Sequence, residues 1–222
     1  MSDTHHNFER QLESISTKLL RMGGMVEEAI GKSIRALIDR DSNLADEVIR
    51  GDAEIDRLEL ELDDLCMEVL ARNQPLARDL RFITTAMKIT PDLERVADHA
   101  VNVGERVREL NDEPALPALV DMPLLAERAQ EMVRLALDAF VRRDSRAART
   151  VIEMDDEVDA RMEQTFRVLL AHMMENPEIV SRALRLTFIA KYFERIADQA
   201  TNICEQVVFM AEARVIKHSP HR

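Results

Sequence analysis

Apolar residues recur every three or four positions along almost the whole chain, the spacing of helices that each bury one face. One stripe runs through Ile83, Ala86, Thr90, Leu93, Ala97, Ala100, Gly104 and Val107, and a second through Leu186, Ala190, Phe193, Ala197, Ala200, Cys204 and Val207. Both become small near their middles, which predicts that a neighbouring helix comes close there. Helices are predicted at roughly 8–39, 43–73, 76–110, 123–143, 146–174 and 177–215. The polar breaks between them carry capping residues: Asp41-Ser42-Asn43, Asp144-Ser145, and Asn176 followed by Pro177 at a first helical position. Connections this short force neighbouring helices to run antiparallel.

The order of signals is written twice. "DAEID" at 52–56 is answered by "DDEVD" at 155–159, "NQP" at 73–75 by "ENP" at 175–177, and "DLERVADHAVN" at 92–102 by "YFERIADQATN" at 192–202. The least periodic stretch, "NDEPALPALVDMP" at 111–123, lies between the copies and holds three prolines. The expected fold is therefore all-α: two tandem antiparallel three-helix bundles related by internal duplication. Residues 1–111 form the first repeat, 112–122 a linker and 123–222 the second repeat. His5, His6 and the tail "KHSPHR" are expected to lie outside the helices.

Composition agrees with helices. Aromatic residues make up only 4% and there are 12 Met, a profile that suits helical bundles better than sheets. A formal net charge of −12, with neither half basic, argues against nucleic acid as a partner. No signal-peptide pattern or spanning apolar run is present, so a cytoplasmic protein is expected. Cys66 and Cys204, both on apolar faces, read as reduced buried thiols rather than a disulfide framework. No phosphate loop, nucleophile elbow or HExxH motif is present, and no catalytic residue is assigned.

The chemistry lies in the acids. Glu94 and Asp98 stand four apart on one helical face, as do Glu194 and Asp198. Asp52 and Asp155 fall inside the apolar stripes of the second and fifth helices, where a carboxylate is costly unless paired or bound to a cation. Counted from the intervening turns, the 52/56 pair is level with the 94/98 pair, and the 155/159 pair with the 194/198 pair. Each pair lies roughly 30 Å from its turn at helical rise. An antiparallel hairpin thus brings four carboxylates together, twice. Oxygen ligands alone suit Mg, Ca, Mn or Fe, and facing helices with paired carboxylates suit more than one ion. Asn102 and Asn202, one turn further along, are candidate ligands or donors to ligands. The competing reading is a solvated or Arg-paired surface, with Arg95 and Arg195 as partners. Glu59-x-x-x-Asp63 has the same spacing and is read as chance. His99 and His172 read as satisfied structural histidines.

The segments "LRFITTAMKITPDLERVADHAVN" at 80–102 and "LRLTFIAKYFERIADQATN" at 184–202 resemble the twin signatures of the PhoU family, bacterial accessory proteins of phosphate-specific transport. The likeness extends repeat for repeat over essentially the whole chain. Ala97 and Ala197 replace the glycine often found before the motif's Asp. The His that follows the Asp is kept as His99 but is Gln199 in the second copy, which argues against metal ligation there. By position, the resemblance implies multinuclear clusters of divalent or trivalent metal (Fe, Mn, Mg or Zn). Their ligands would be Asp52, Asp56, Glu94 and Asp98, and Asp155, Asp159, Glu194 and Asp198. It implies a cytoplasmic homodimer that negatively regulates the phosphate-starvation (Pho) regulon and phosphate uptake. Its partners would be the ATPase subunit of the phosphate ABC transporter and the sensor histidine kinase of the phosphate two-component system. The alternatives are a carboxylate-bridged di-metal enzyme, which calls for Glu-x-x-His pairs that this chain lacks, and a metal-free helical adaptor.

Overall fold

The structure, a computed structural model, describes residues 2–116 and 122–216. Among them are six α-helices and no strand: α1 (Ser2–Asp39), α2 (Ser42–Asn73), α3 (Ala77–Asn111), α4 (Met122–Arg142), α5 (Ser145–Glu175) and α6 (Val180–Glu212). The all-α expectation holds. Residues 117–121 of the expected linker and the tail at 217–222 lie outside the described residues. At the other end α1 begins at Ser2, so His5 and His6 belong to its first turns, contrary to the expectation that they lie outside any helix.

The capping residues do what their chemistry predicts. The carboxylate of Asp41 accepts the backbone N–H groups of Asn43 and Leu44 at 2.9 and 3.1 Å, and Asp144 accepts those of Arg146 and Ala147 at the same distances. Asn176 accepts from the N–H of Glu178 at 3.0 Å. What it caps is a 3-10 turn, Pro177–Ile179, that precedes α6 rather than forming its start. The far end of α6 also falls short of the expected residue 215. Ala213 turns to φ 55° and donates its N–H to the Phe209 carbonyl at 2.8 Å.

Each set of three helices packs as an antiparallel bundle. Ion pairs mark the direction: Lys18 meets Glu61, Arg21 meets Glu54 at 2.6 Å and Lys32 meets Glu47 at 3.2 Å between α1 and α2. Such exposed pairs contribute little energy and report the register rather than set it. Between α2 and α3, Gly104 lets α3 approach until its missing Cβ would sit 3.2 Å from the Ala45 carbonyl oxygen.

The two bundles are not independent. Near its start α3 donates from Arg81 to the Met210 carbonyl at the end of α6, at 3.2 Å. Near the start of α6, Arg185 donates to Glu109 and Glu113 at the end of α3, at 2.9 and 2.6 Å. The two central helices therefore lie antiparallel against each other over most of their length. A second crossing joins α1 to α4, where Gln130 donates to the Glu27 carbonyl at 2.9 Å and Gly23 leaves room for Leu137. Phe82 of α3 stacks on Phe140 of α4 with ring centres 5.7 Å apart. One continuous core results, running through Leu93, Val96, Phe193, Ile196 and the alanines at 97, 100, 197 and 200.

The small residues at mid-helix are thus spacers in a dry interior. Enlarging one, Ala200→Leu, is expected to cost roughly 1–3 kcal/mol, and truncating Phe193 to Ala roughly 3–5 kcal/mol, both read as lower midpoints of urea unfolding. An unchanged midpoint for either variant would mean that the close approach is absent in solution.

Candidate metal centres

Asp52 projects from α2 towards α3 and is half-buried. Its Oδ1 is shielded from solvent and has no hydrogen-bond partner. Burial, and then the charges of Asp56 and Asp98, push its carboxyl up to about 6. Across the hairpin, burial acts on Glu94 together with the charges of Asp98, Glu59, Asp56 and Asp52, and holds it near 7. Asp98 is raised as well, by burial and by Asp56. The four carboxylates predicted to meet therefore do lie in one another's field.

The second hairpin repeats the arrangement. Burial and the charges of Asp198, Asp159, Glu194 and Asp156 push Asp155 up to about 7, and its Oδ1 is also buried without a partner. Burial and Glu194 raise Asp198 to about 6, against the opposing field of Lys191. Glu194 is the most enclosed acid of the set, only 8% exposed, and its Oε2 has no partner.

Three neighbours of these acids escaped the sequence reading: Glu59, Lys191 and Asp156, whose charge acts on Asp155. Glu59, set aside as chance, is raised by burial and by its neighbours Asp63 and Asp56, and it is one of the charges acting on Glu94. It belongs to the first cluster. The signal was available, since Glu59 lies on the same stripe as Asp52 and Ile55. Lys191, which was not singled out, sets a base beside the second set: its Nζ lies 2.5 Å from Glu194 Oε1.

The Arg-paired alternative fares poorly. Among the described residues, Glu194 is the one member of the eight predicted ligands that makes an ion pair, and its partner is Lys191. Arg95 instead reaches Asp92 at 3.5 Å. The amide nitrogen of Asn102 donates to the Asp98 carbonyl at 2.8 Å, and that of Asn202 to the Gln199 side chain at 3.2 Å, so both make local bonds. His99 is not the satisfied histidine expected. Its buried Nδ1 lacks a partner, and its ring stacks on Tyr192 of α6 at 6.0 Å. Burial, with Arg195 and Arg95 nearby, pushes it down to about 4. His172 sits at the exposed end of α5, 3.8 Å from Glu175, far along the helix from the acids. Cavities of about 400 and 300 Å³ open elsewhere and include none of the eight carboxylates among their lining residues.

As they stand, the acids share a field without having closed on a point: among the described residues no three His, Cys, Asp or Glu side chains are set around one ion position. The donor set nevertheless fits a hard cation, being all carboxylate, with buried oxygens that nothing else satisfies.

The model of the PhoU domain matches residues 19–107 and 122–207, one copy in each half. The chain belongs to the PhoU family. It is 38% identical over 219 residues to the "Phosphate-specific transport system accessory protein PhoU homolog" of Pseudomonas aeruginosa, covering 97% of this chain and 90% of that one. The Escherichia coli accessory protein PhoU is 34% identical, with 95% and 88% covered. The crystal structure of PhoU from Pseudomonas aeruginosa superposes with a TM-score of 0.91 at 38% identity, over 93% of this chain and 100% of that chain. The phosphate transport system regulatory protein PhoU of Streptococcus pneumoniae shares the fold, with a TM-score of 0.88 at 24% identity, over 95% and 99%. In this family member no described helix is long and apolar enough to cross a membrane.

The raised carboxyls make a pH prediction whose sign is fixed. Asp52, Glu94, Asp155 and Asp198 hold protons more tightly folded than unfolded, so the metal-free chain gains stability as pH falls from about 8 to about 5. Thermal melts across this range should show the midpoint rising towards the acid side, and the double variant Asp52→Asn, Asp155→Asn should flatten the slope and melt higher at pH 8. A midpoint that rises with pH, unaffected by the double variant, would refute the coupling.

Proposed function

We propose that the chain is a phosphate-transport accessory protein that negatively regulates the phosphate-starvation regulon and phosphate uptake, with a cation-binding centre in each hairpin. The observation that carries this reading is full-length likeness to relatives named as accessory proteins of phosphate-specific transport, with both carboxylate motifs in place. In this reading the protein works as a cytoplasmic homodimer. It links the ATPase subunit of the phosphate ABC transporter to the sensor histidine kinase of the phosphate two-component system, and it is not itself an enzyme.

Asp52, Asp56, Glu94 and Asp98 would hold metal in the first hairpin, joined by Glu59. Asp155, Asp159, Glu194 and Asp198 would do so in the second. A cluster of divalent or trivalent ions, such as Fe, Mn, Mg or Zn, would supply the positive charge that these groups lack. Its chemistry here is structural: it would clamp α2 to α3 and α5 to α6 and set the shape that the hairpins present. The all-oxygen surroundings favour this over a di-metal enzyme, because His99 faces Tyr192 and His172 lies at the end of α5.

Deleting the gene should raise alkaline phosphatase, or another phosphate-starvation output, in phosphate-replete medium, and the wild-type copy should restore repression. Output that stays repressed in the deletion strain would overturn the regulatory reading. The triple variant Asp52→Asn, Glu94→Gln, Asp98→Asn should lose the metal content of the first hairpin by elemental analysis. It should also lose most of the rise in melting temperature that metal gives the wild type.

A further inference from the structure

The two clusters descend from one duplicated pattern, yet their charges differ. On α2, Glu59 adds a fifth carboxylate to Asp52, Asp56, Glu94 and Asp98, as Asp156 adds one to the second set, and among the described residues no cation makes an ion pair with any of the first five, Arg95 reaching Glu59 only through its field. The residue that takes the place of Glu59 in the second repeat is Met162. In that repeat Lys191 stands three residues before Glu194 and puts its ammonium on Oε1 at 2.5 Å. The residue three before Glu94 is Pro91, which has neither charge nor N–H.

The position of the ammonium matters because of what it touches. Glu194 is nine-tenths buried, its other oxygen is unpartnered, and the field of Lys191 reaches on to Asp198. A lysine on the solvent side of a surface acid is dispensable decoration. One seated on the most enclosed acid of a candidate cation site competes with a metal ion for Oε1 of Glu194. Its own side chain is 43% exposed, so it has open water to leave into.

We propose that Lys191 is a tethered monovalent counter-ion of the second centre, so that the two halves load unequally: the first takes a divalent cation tightly, and the second takes one only by displacing Lys191 from Glu194. The inference rests on the metal reading above and adds an order of filling to it. The first hairpin then serves as a constitutive structural centre. The second responds to cation concentration, and each loading event there frees a lysine at the α5–α6 surface.

The test is titration of the intact metal-free chain with Mn2+, followed by calorimetry and by the loss of the free Mn2+ electron paramagnetic resonance signal. The wild type should show a tight and a weak class of sites separated by at least about tenfold in affinity. Lys191→Met should tighten the weak class by about tenfold and leave the tight class in place, while Lys191→Arg, which keeps the charge, should preserve the gap. Glu59→Gln should weaken the tight class alone, and Asp155→Asn should abolish the weak class alone. Equal affinities in the wild type, or a weak class indifferent to Lys191→Met, would overturn unequal loading while leaving the metal reading intact. No bound Mn2+ in the wild type would overturn both.

Discussion

The close antiparallel contact of α3 with α6 is the constraint on which the rest of the molecule depends. Alanines at 97, 100, 197 and 200 let these helices share a core along their middles, with Leu93, Phe193 and Ile196 filling it. Once one face of each central helix is committed to the other bundle, the neighbouring faces are left to pack against α2 and α5. Glu94 and Asp98, and Glu194 and Asp198, lie towards those outer hairpins. The packing that stabilises the protein therefore also half-buries Glu94 and Asp198 and encloses Glu194 among other acids, while Asp98 stays exposed at the rim.

Those acids work against the fold that holds them. Raised carboxyls at Asp52, Glu94, Asp155 and Asp198 mean that the folded state resists their ionised form, and the principal cause in each case is burial. A helical bundle can remove such a cost by replacing the groups with apolar ones, by pairing them or by binding a cation. This chain keeps the acids and leaves the first set unpaired, which is the physical reason to regard it as a binding centre rather than a surface. The second set carries one ammonium, and that difference is enough to give twin motifs unlike behaviour.

Much of this was legible in the sequence. The apolar period located six helices, Asp41 and Asp144 marked where α2 and α5 start, Asn176 marked the 3-10 turn before α6, and counting residues from the hairpin turns put Asp52 level with Asp98 and Asp155 level with Asp198. What was illegible has common causes. Periodicity identifies a buried stripe but not its partner, so the crossings of α3 with α6 and α1 with α4 were hidden. Glu59 was discarded because i to i+4 acid pairs are common in so acidic a chain, although its place on the stripe of Asp52 set it apart. Lys191 looked like any exposed lysine until the enclosure of Glu194 was visible. His99 looked structurally satisfied because a helical position does not reveal that its ring meets Tyr192 across the interface.

The central claim is that the two hairpins are cation-binding centres. Crystals of the chain grown with Mn2+ and measured with X-rays tuned to the manganese absorption edge test it without reference to any activity. The account predicts anomalous density between α2 and α3 beside Asp52, Glu94 and Asp98, with a stronger peak there than between α5 and α6 at limiting metal. Anomalous density confined to other parts of the surface, with both carboxylate sets still apart, would contradict it.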